Sequence, residues 1–313
     1  MKIAFLGLGR MGSGMASRLA GKDEHSLTVW NRSPGKAKPL SELGASVAAD
    51  PAGAVADADL VITSFLDDKS IDAVFHDGAP ALAAMKPNAI HLCVTTISPA
   101  YANRLQALHA AHGGRYVSGP VVGRPDAAAR GELVQFIAGD ASAFAEVESA
   151  CQAFTTRIVP LPGPAGVANS QKLCINFFLA AQLEAMSECY TLADSLGASR
   201  EALATFFQLA FAAQGLKGYA DRMNKREDAS ANGFAMTTGL KDVRLIREAA
   251  ASAKCPVEIA DVIASKLEDG ISKGMADRDW SAVQEIARER AGLSAQLGAN
   301  PSPLAGEGGA PKA

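Results

Sequence analysis

The chain has 313 residues, 48% of them hydrophobic and 20% charged, the balance of an ordinary globular protein with a sizeable core and room for about two domains. Lys plus Arg number 30 against 33 Asp plus Glu, a formal net charge of −3 that argues against nucleic acid as a partner. No stretch approaches the ~18 apolar residues of a membrane span, and the apolar start turns to Gly7 without a signal-cleavage pattern.

Taken in chain order, residues 2–6 predict a strand, 11–20 a helix and 27–30 a second strand. Further strands are expected at 59–65, 89–94, 116–117 and 133–138, with helical segments at 34–43, 70–75 and 99–112 between them. Strands alternating with helices argue for a parallel, doubly wound α/β sheet. Residues 133–138 and 157–159 flank a helix at 141–154 and are expected to extend that sheet. After Pro160, Pro162, Gly163 and Pro164 the pattern becomes helical. Residues 167–196 run without an internal Gly or Pro, long enough for a rod linking two lobes. Helices follow at 200–213, 217–224, 238–252, 257–270 and 280–290. The expected division is a nucleotide-binding domain at 1–163, an all-helical domain at 164–290 and a disordered Gly-, Ala- and Pro-rich tail at 291–313.

The cysteines Cys93, Cys151, Cys174, Cys189 and Cys255 are odd in number and contain no Cys-x-x-Cys, so neither a disulfide framework nor a zinc site is expected. Together with the missing targeting signal, they suggest a reducing cytoplasm. His109 and His112 are a close histidine pair, but without acidic or thiolate neighbours they read as a solvated helix face, not a metal site.

The first strand runs straight into Gly7-Leu8-Gly9-Arg10-Met11-Gly12, which opens a helix. In that setting G-x-G-x-x-G is a dinucleotide fingerprint: Gly7 for the turn, Gly9 for approach of the pyrophosphate and Gly12 for helix–strand packing. The second strand ends in Asn31-Arg32-Ser33 where an NAD site usually carries a carboxylate. A guanidinium beside a hydroxyl suits a 2′-phosphate, so NADP is preferred. Should Arg32 only stack on the adenine, NAD remains possible.

With the segment Gly163-Pro164-Ala165-Gly166, Lys172 and Asn176, these motifs resemble the β-hydroxyacid dehydrogenase family over about residues 1–290. That family includes 3-hydroxyisobutyrate dehydrogenases, tartronate semialdehyde reductases and, more distantly, imine reductases. The resemblance implies a Rossmann domain, a long interdomain helix and a helical C-terminal domain. It also implies catalytic Lys172 and Asn176, which a spacing of four places on one helix face. Among apolar neighbours the Lys172 ammonium should have a lowered pKa, suiting it to exchange protons near neutral pH. The alternative is a lysine that reaches solvent beside a hydrogen-bonded Asn176.

Three more pieces match. Thr95-Thr96-Ile97-Ser98-Pro99 resembles a segment whose second hydroxyl, here Thr96, lies by the nicotinamide. Phe65 and Leu66 stand where the family covers the nicotinamide ribose, and Lys241-Asp242-Val243 resembles a segment whose lysine approaches the cofactor. Taken alone, Thr96 could be a helix cap and Lys241 a surface charge.

The departure lies in Pro120-Val121-Val122-Gly123-Arg124, where the family's Pro-Val-Ser-Gly-Gly loop grips a substrate carboxylate. Val122 loses the hydroxyl and Arg124 replaces the second Gly. Either Arg124 takes the carboxylate, or the substrate is a less polar aldehyde, ketone or imine, or Arg124 faces solvent. The expected activity is NADP-dependent hydride transfer between a hydroxy acid or alcohol and its aldehyde or ketone. Imine reduction or a non-catalytic NADP-binding module are the alternatives. The apolar helical domain suggests a homodimer.

Overall fold

The computed structural model describes residues 1–21, 24–210, 214–226, 233–252 and 257–293. The expectations for residues 211–213, for Cys255 and for most of the tail (294–313) lie outside them. The first half contains β1 (Lys2–Leu6), α1 (Arg10–Leu19), β2 (Ser26–Trp30), α2 (Lys38–Glu42), β3 (Ser46–Val47), α3 (Pro51–Val55), β4 (Leu60–Thr63), α4 (Asp68–Asp72) and α5 (Pro80–Ala84). It continues with β5 (Ile90–Cys93), α6 (Pro99–Ala111), β6 (Arg115–Ser118), β7 (Val121–Val122), α7 (Pro125–Arg130), β8 (Leu133–Gly139), α8 (Phe144–Cys151) and β9 (Thr155–Pro160). β3, α3, α5, β7 and α7 were not foreseen. Each has two to six residues, too few to carry a hydrophobic period.

β4 and β5 are buried at every residue, as strands covered on both faces must be, which is why they read as unbroken apolar runs. The order β3-β2-β1-β4-β5-β6 is parallel throughout. Its register pairs Leu6 with Trp30 and with Thr63, Thr63 with Cys93, and Cys93 with Ser118. The carboxyl ends of five strands therefore share one edge, from which the segments beginning at Gly7, Asn31, Ser64, Val94 and Gly119 all emerge. Beyond β6 the sheet departs from the parallel plan: β8 runs antiparallel to β6 and β7, and β9 lies parallel to β8. After β6 the chain turns at the shared edge through β7 and α7 without recrossing the sheet, so β8 starts there and runs back.

The second half consists of α9 (Gly166–Leu196), α10 (Arg200–Ala210), α11 (Gln214–Lys225), α12 (Met236–Ser252), α13 (Glu258–Ser272) and α14 (Val283–Arg290). The 31 residues of α9 are the rod that the uninterrupted pattern predicts. The other helices surround its later turns in a second core that includes Leu183, Met186, Tyr190, Met236, Val243, Ile263 and Ile286. None of the described helices is long and apolar enough to cross a membrane.

One expectation fails outright. His109 is not on a solvated face but 1% exposed, its Nε2 lying 2.9 Å from His91 Nδ1. The α6 face that carries it packs on the sheet beside Phe75 and Tyr116, so two polar rings satisfy each other inside an apolar layer.

Candidate active site

The Gly-rich loop has the shape its sequence calls for. Gly7 sits at φ +99°, and a Cβ there would come 2.3 Å from the Ser64 carbonyl oxygen. A Cβ on Gly12 would lie 2.0 Å from the Gly7 carbonyl oxygen, so α1 can pack this close only on a bare backbone. At Gly9 an added Cβ would meet nothing within 4 Å. Two of the glycines are thus demanded by internal packing, whereas the third leaves open space before the first turn of α1, where N–H groups and helix dipole favour a phosphate. Asn31 braces the loop, its Oδ1 accepting from Leu8 N–H at 2.8 Å and its Nδ2 donating to the Ser33 carbonyl at 3.0 Å. Leu8 is buried, Met11 packs on the core, and Arg32 and Ser33 are exposed at the end of β2. Arg10 reaches across to the helical half, where its Nη1 donates to the Gly233 carbonyl at 2.9 Å. These residues fit a dinucleotide.

Two strands along, Phe65 N–H donates to Thr95 Oγ1 at 2.9 Å, which ties together the segments leaving β4 and β5. Phe65 is half-buried edge-on to Trp30, and Leu66 is 58% exposed at the same rim. Thr96 is not the helix cap: Ser98 is, its hydroxyl accepting from Tyr101 N–H. That leaves the partly exposed Thr96 side chain available to the cleft.

α9 carries the central group. Lys172 and Asn176 are both buried, at 8% and 4% exposure, as expected for one inward face. Of the apolar residues on their own helix, Leu173 is buried, but Cys174 and Phe178 are exposed. α12 packs on α9, and there buried Asp242 accepts a hydrogen bond from Asn176 Nδ2. Burial pulls the Lys172 ammonium down from 10.5 to about 8; Asp242 opposes the shift and Lys241 adds to it. Lys241 is no free surface charge: its Nζ donates to the Thr96 carbonyl at 3.1 Å and pairs with Asp242 at 2.6 Å. Sequence reasoning had given no role to Asp242, nor to Asn169, one turn before Lys172. Asn169 is fully buried, accepts from Ile97 N–H at 3.0 Å and donates to the Ser118 hydroxyl. Its signal was the spacing 169, 172, 176, which lies on one helical stripe.

The 120–124 loop closes the other side. Gly123 has φ +144°, and a Cβ there would strike Leu133. Val122 is partly buried, and Arg124, 18% exposed at its side chain, turns toward the helical half instead of solvent.

Comparison with known proteins decides what this cleft belongs to. The family model described as the NAD binding domain of 6-phosphogluconate dehydrogenase matches residues 2–163. A second, described as NAD-binding of NADP-dependent 3-hydroxyisobutyrate dehydrogenase, matches residues 166–287. The chain belongs to the β-hydroxyacid dehydrogenase family. As a member it is an NAD(P)-dependent oxidoreductase. It is 34% identical to the uncharacterized oxidoreductase YfjR of Bacillus subtilis, over 90% of this chain and 98% of that protein. It is 30% identical to glyoxylate/succinic semialdehyde reductase 1 of Arabidopsis thaliana, over 92% and 99% of the two chains. The Mycobacterium tuberculosis 3-hydroxyisobutyrate dehydrogenase structure with L-serine superposes with a TM-score of 0.80 at 27% identity, covering 92% of this chain and 99% of the other. The Aspergillus terreus reductive aminase with NADPH and ethyl-5-oxohexanoate gives 0.59 at 26% identity, over 91% and 98%. Between the two halves, Asn169 of the long helix holds Ile97 N–H, Lys241 holds the Thr96 carbonyl and Arg10 of the glycine loop holds the Gly233 carbonyl, so the helical half is tied to the carboxyl edge of the sheet.

Proposed function

We propose that this dehydrogenase is an NADP-preferring enzyme that interconverts a hydroxy acid or alcohol and its semialdehyde, aldehyde or ketone, with Lys172 as general acid and base. The division of labour follows the chain: residues 1–163 hold the dinucleotide and 164–290 supply the proton-transfer group. A bound nicotinamide supplies or accepts the hydride at the substrate carbon. Gly7 to Gly12, Asn31, Arg32, Ser33, Phe65, Leu66, Thr96 and Lys241 hold it, and the Arg32 guanidinium with the Ser33 hydroxyl favours a 2′-phosphate. In the reductive direction Lys172, as ammonium, donates a proton to the carbonyl oxygen; in the oxidative direction the neutral amine removes it. Asn176, held by Asp242, orients that oxygen. Val122, Gly123 and Arg124 line the substrate side. The exposed apolar side chains Phe178 on α9 and Phe206 and Leu209 on α10 support a homodimer through the helical half.

The observation that carries this reading is a buried lysine, pulled to about 8, on the helix that faces the carboxyl edge of the sheet. Positioned proton transfer typically contributes 10²–10⁴-fold, so Lys172→Ala should lower turnover by at least ~100-fold while NADPH binding is unchanged. A fully active variant overturns the role. The same assay, run on semialdehydes and on cyclic imines, separates carbonyl from imine reduction. The second reading is favoured by Val122 in place of a hydroxyl and by the likeness to the reductive aminase.

A further inference from the structure

The peptide unit between Thr96 and Ile97 lies past Cys93, the last residue of β5, so the strand ladder does not satisfy its N–H and C=O. The helical half supplies partners for both. Asn169 of α9 accepts Ile97 N–H at 3.0 Å, and Lys241 of α12 donates from Nζ to the Thr96 carbonyl at 3.1 Å. The residues on either side are held from within the nucleotide half instead: Thr95 Oγ1 accepts Phe65 N–H at 2.9 Å, and Ser98 N–H donates to Asp68 at 3.1 Å. A peptide is planar, so bonds at its two opposite edges fix the whole plane, and with it the backbone from which Thr96 projects.

The two holders are also joined to each other. Lys241 pairs with Asp242 at 2.6 Å, and Asp242 accepts from Asn176 Nδ2. Asn176 follows Asn169 on α9 by two turns, roughly 10.5 Å along the same face. The contacts therefore close a ring that runs from Ile97 through Asn169, α9, Asn176, Asp242 and Lys241 back to Thr96. Lys172 stands on the arc of α9 between the two asparagines, and the charges that act on its ammonium are those of Asp242 and Lys241.

Asn169 lies outside the residues that carry the family resemblance, yet it is fully buried and both ends of its amide are used. Its Nδ2 donates at 2.5 Å to the Ser118 hydroxyl at the end of β6, which leaves Oδ1 directed at Ile97. The rod has other anchors: Asn103 of α6 accepts Gly166 N–H at 2.7 Å, and Gln106 of α6 accepts Ala165 N–H at 2.9 Å. What Asn169 adds to these is the register between α9 and the 96–97 peptide.

We propose that Asn169 is a positioning residue: clasping the 96–97 peptide opposite Lys241, it sets where Lys172 stands relative to Thr96 and so to a nicotinamide beside Thr96. This rests on the proton-transfer reading of Lys172 and adds the residue that aligns it. Reaction geometry is sensitive on this scale, a displacement of about 1 Å costing about 10²-fold.

The test is Asn169→Leu, which fills the same space and removes both hydrogen bonds. Turnover should fall by at least ~10-fold, with NADPH affinity within about threefold of wild type because the glycine loop and Asn31 are untouched. In the cofactor-free protein the Ile97 amide should exchange with deuterium at least ~10-fold faster. Asn169→Asp keeps the acceptor for Ile97 N–H and lets the Ser118 hydroxyl donate, so it should recover most of both losses. If the Leu variant does not fold, Asn169→Ser, whose hydroxyl stops short of Ile97, is read in its place. On a Lys172→Ala background Asn169→Leu should cost less than about threefold more, because its effect runs through that lysine. Full turnover in Asn169→Leu, unchanged exchange at Ile97, or losses that multiply in the double variant overturns the assignment. Lowered thermal stability with unchanged turnover marks a purely structural amide and overturns it too. Failure of the underlying reading shows separately, as full turnover in Lys172→Ala alone.

Discussion

Two buried basic clusters, one in each half of the molecule, show what burial does with and without a carboxylate. In the sheet, His91 and His109 stack among Phe75, Tyr116 and Thr63, and burial drives both toward the neutral form: His91 well below 6.5, His109 to about 4. In the helical half Lys172 is also buried, but Asp242 partly offsets the desolvation and the amine settles at about 8. The difference is one of charge. The histidines are neutral at pH 7 and serve packing, whereas Lys172 is still charged there and within reach of losing its proton. A buried cation retained at working pH is a stability cost, and groups perturbed in this way cluster at functional sites.

The largest effect that tests this contrast is acid instability. The histidine pKa values are depressed in the folded state, so the unfolded chain takes up protons first as pH falls. Their contribution is intact above about 6.5 and is lost progressively on the way down to about 4. The shift on His109 alone corresponds to about 3 kcal/mol. Urea unfolding at pH 7.5 and 4.5 should show a loss of at least this size that shrinks in His109→Phe. Equal pH dependence in the two proteins would mean that acid acts elsewhere.

Lys172 obeys the same sign at a higher window. Its stability contribution is full only above 10.5 and is lost as pH falls through about 8, so at pH 7 the wild type bears the whole cost. Lys172→Met should therefore be more stable than the wild type at pH 7, by up to about 3 kcal/mol, with the advantage vanishing near pH 10.5. Because Asp242 keeps Lys241 and Asn176 as partners, the variant does not strand a carboxylate. A variant less stable than wild type at pH 7 would show that Lys172 holds the fold together instead of straining it.

The same contrast explains what could be read in advance. The phosphate loop, the strands that feed it and the rod α9 are contiguous in the chain, and their glycines and periods are local signals. Lys172 and Asn176 were legible as a pair because a spacing of four fixes their common face. Asp242 was visible as a motif but not as a partner, since only packing of α12 on α9 brings it to Asn176. The contacts of Arg124 with Tyr219 of α11 and with Asp279 were invisible for the same reason: two segments far from it in sequence meet it only in the fold. His109 was misread because its partner, His91, lies on a strand 18 residues away and no helical spacing reveals it.

The smallest effect tests how fully the histidine cluster is satisfied. The carbonyl of Leu105 can only accept, so His109 Nδ1, at 2.8 Å, carries the proton and its Nε2 is the acceptor. His91 Nδ1 must then donate to that Nε2, leaving His91 Nε2 to accept from the hydroxyl of Thr63 at 2.8 Å. One orientation therefore satisfies every member, and each ring is a single tautomer. Thr63→Val removes the terminal donor and leaves a buried lone pair unmatched, which should cost about 1–3 kcal/mol at pH 7.5. Thr63→Ser retains the donor and should recover most of that loss. Nitrogen-15 shifts should report Nδ1–H on both imidazoles in the wild type. An Nε2–H tautomer on His109 would break the relay at its first link, and with it the reason that this half of the molecule can hold two basic rings without a carboxylate.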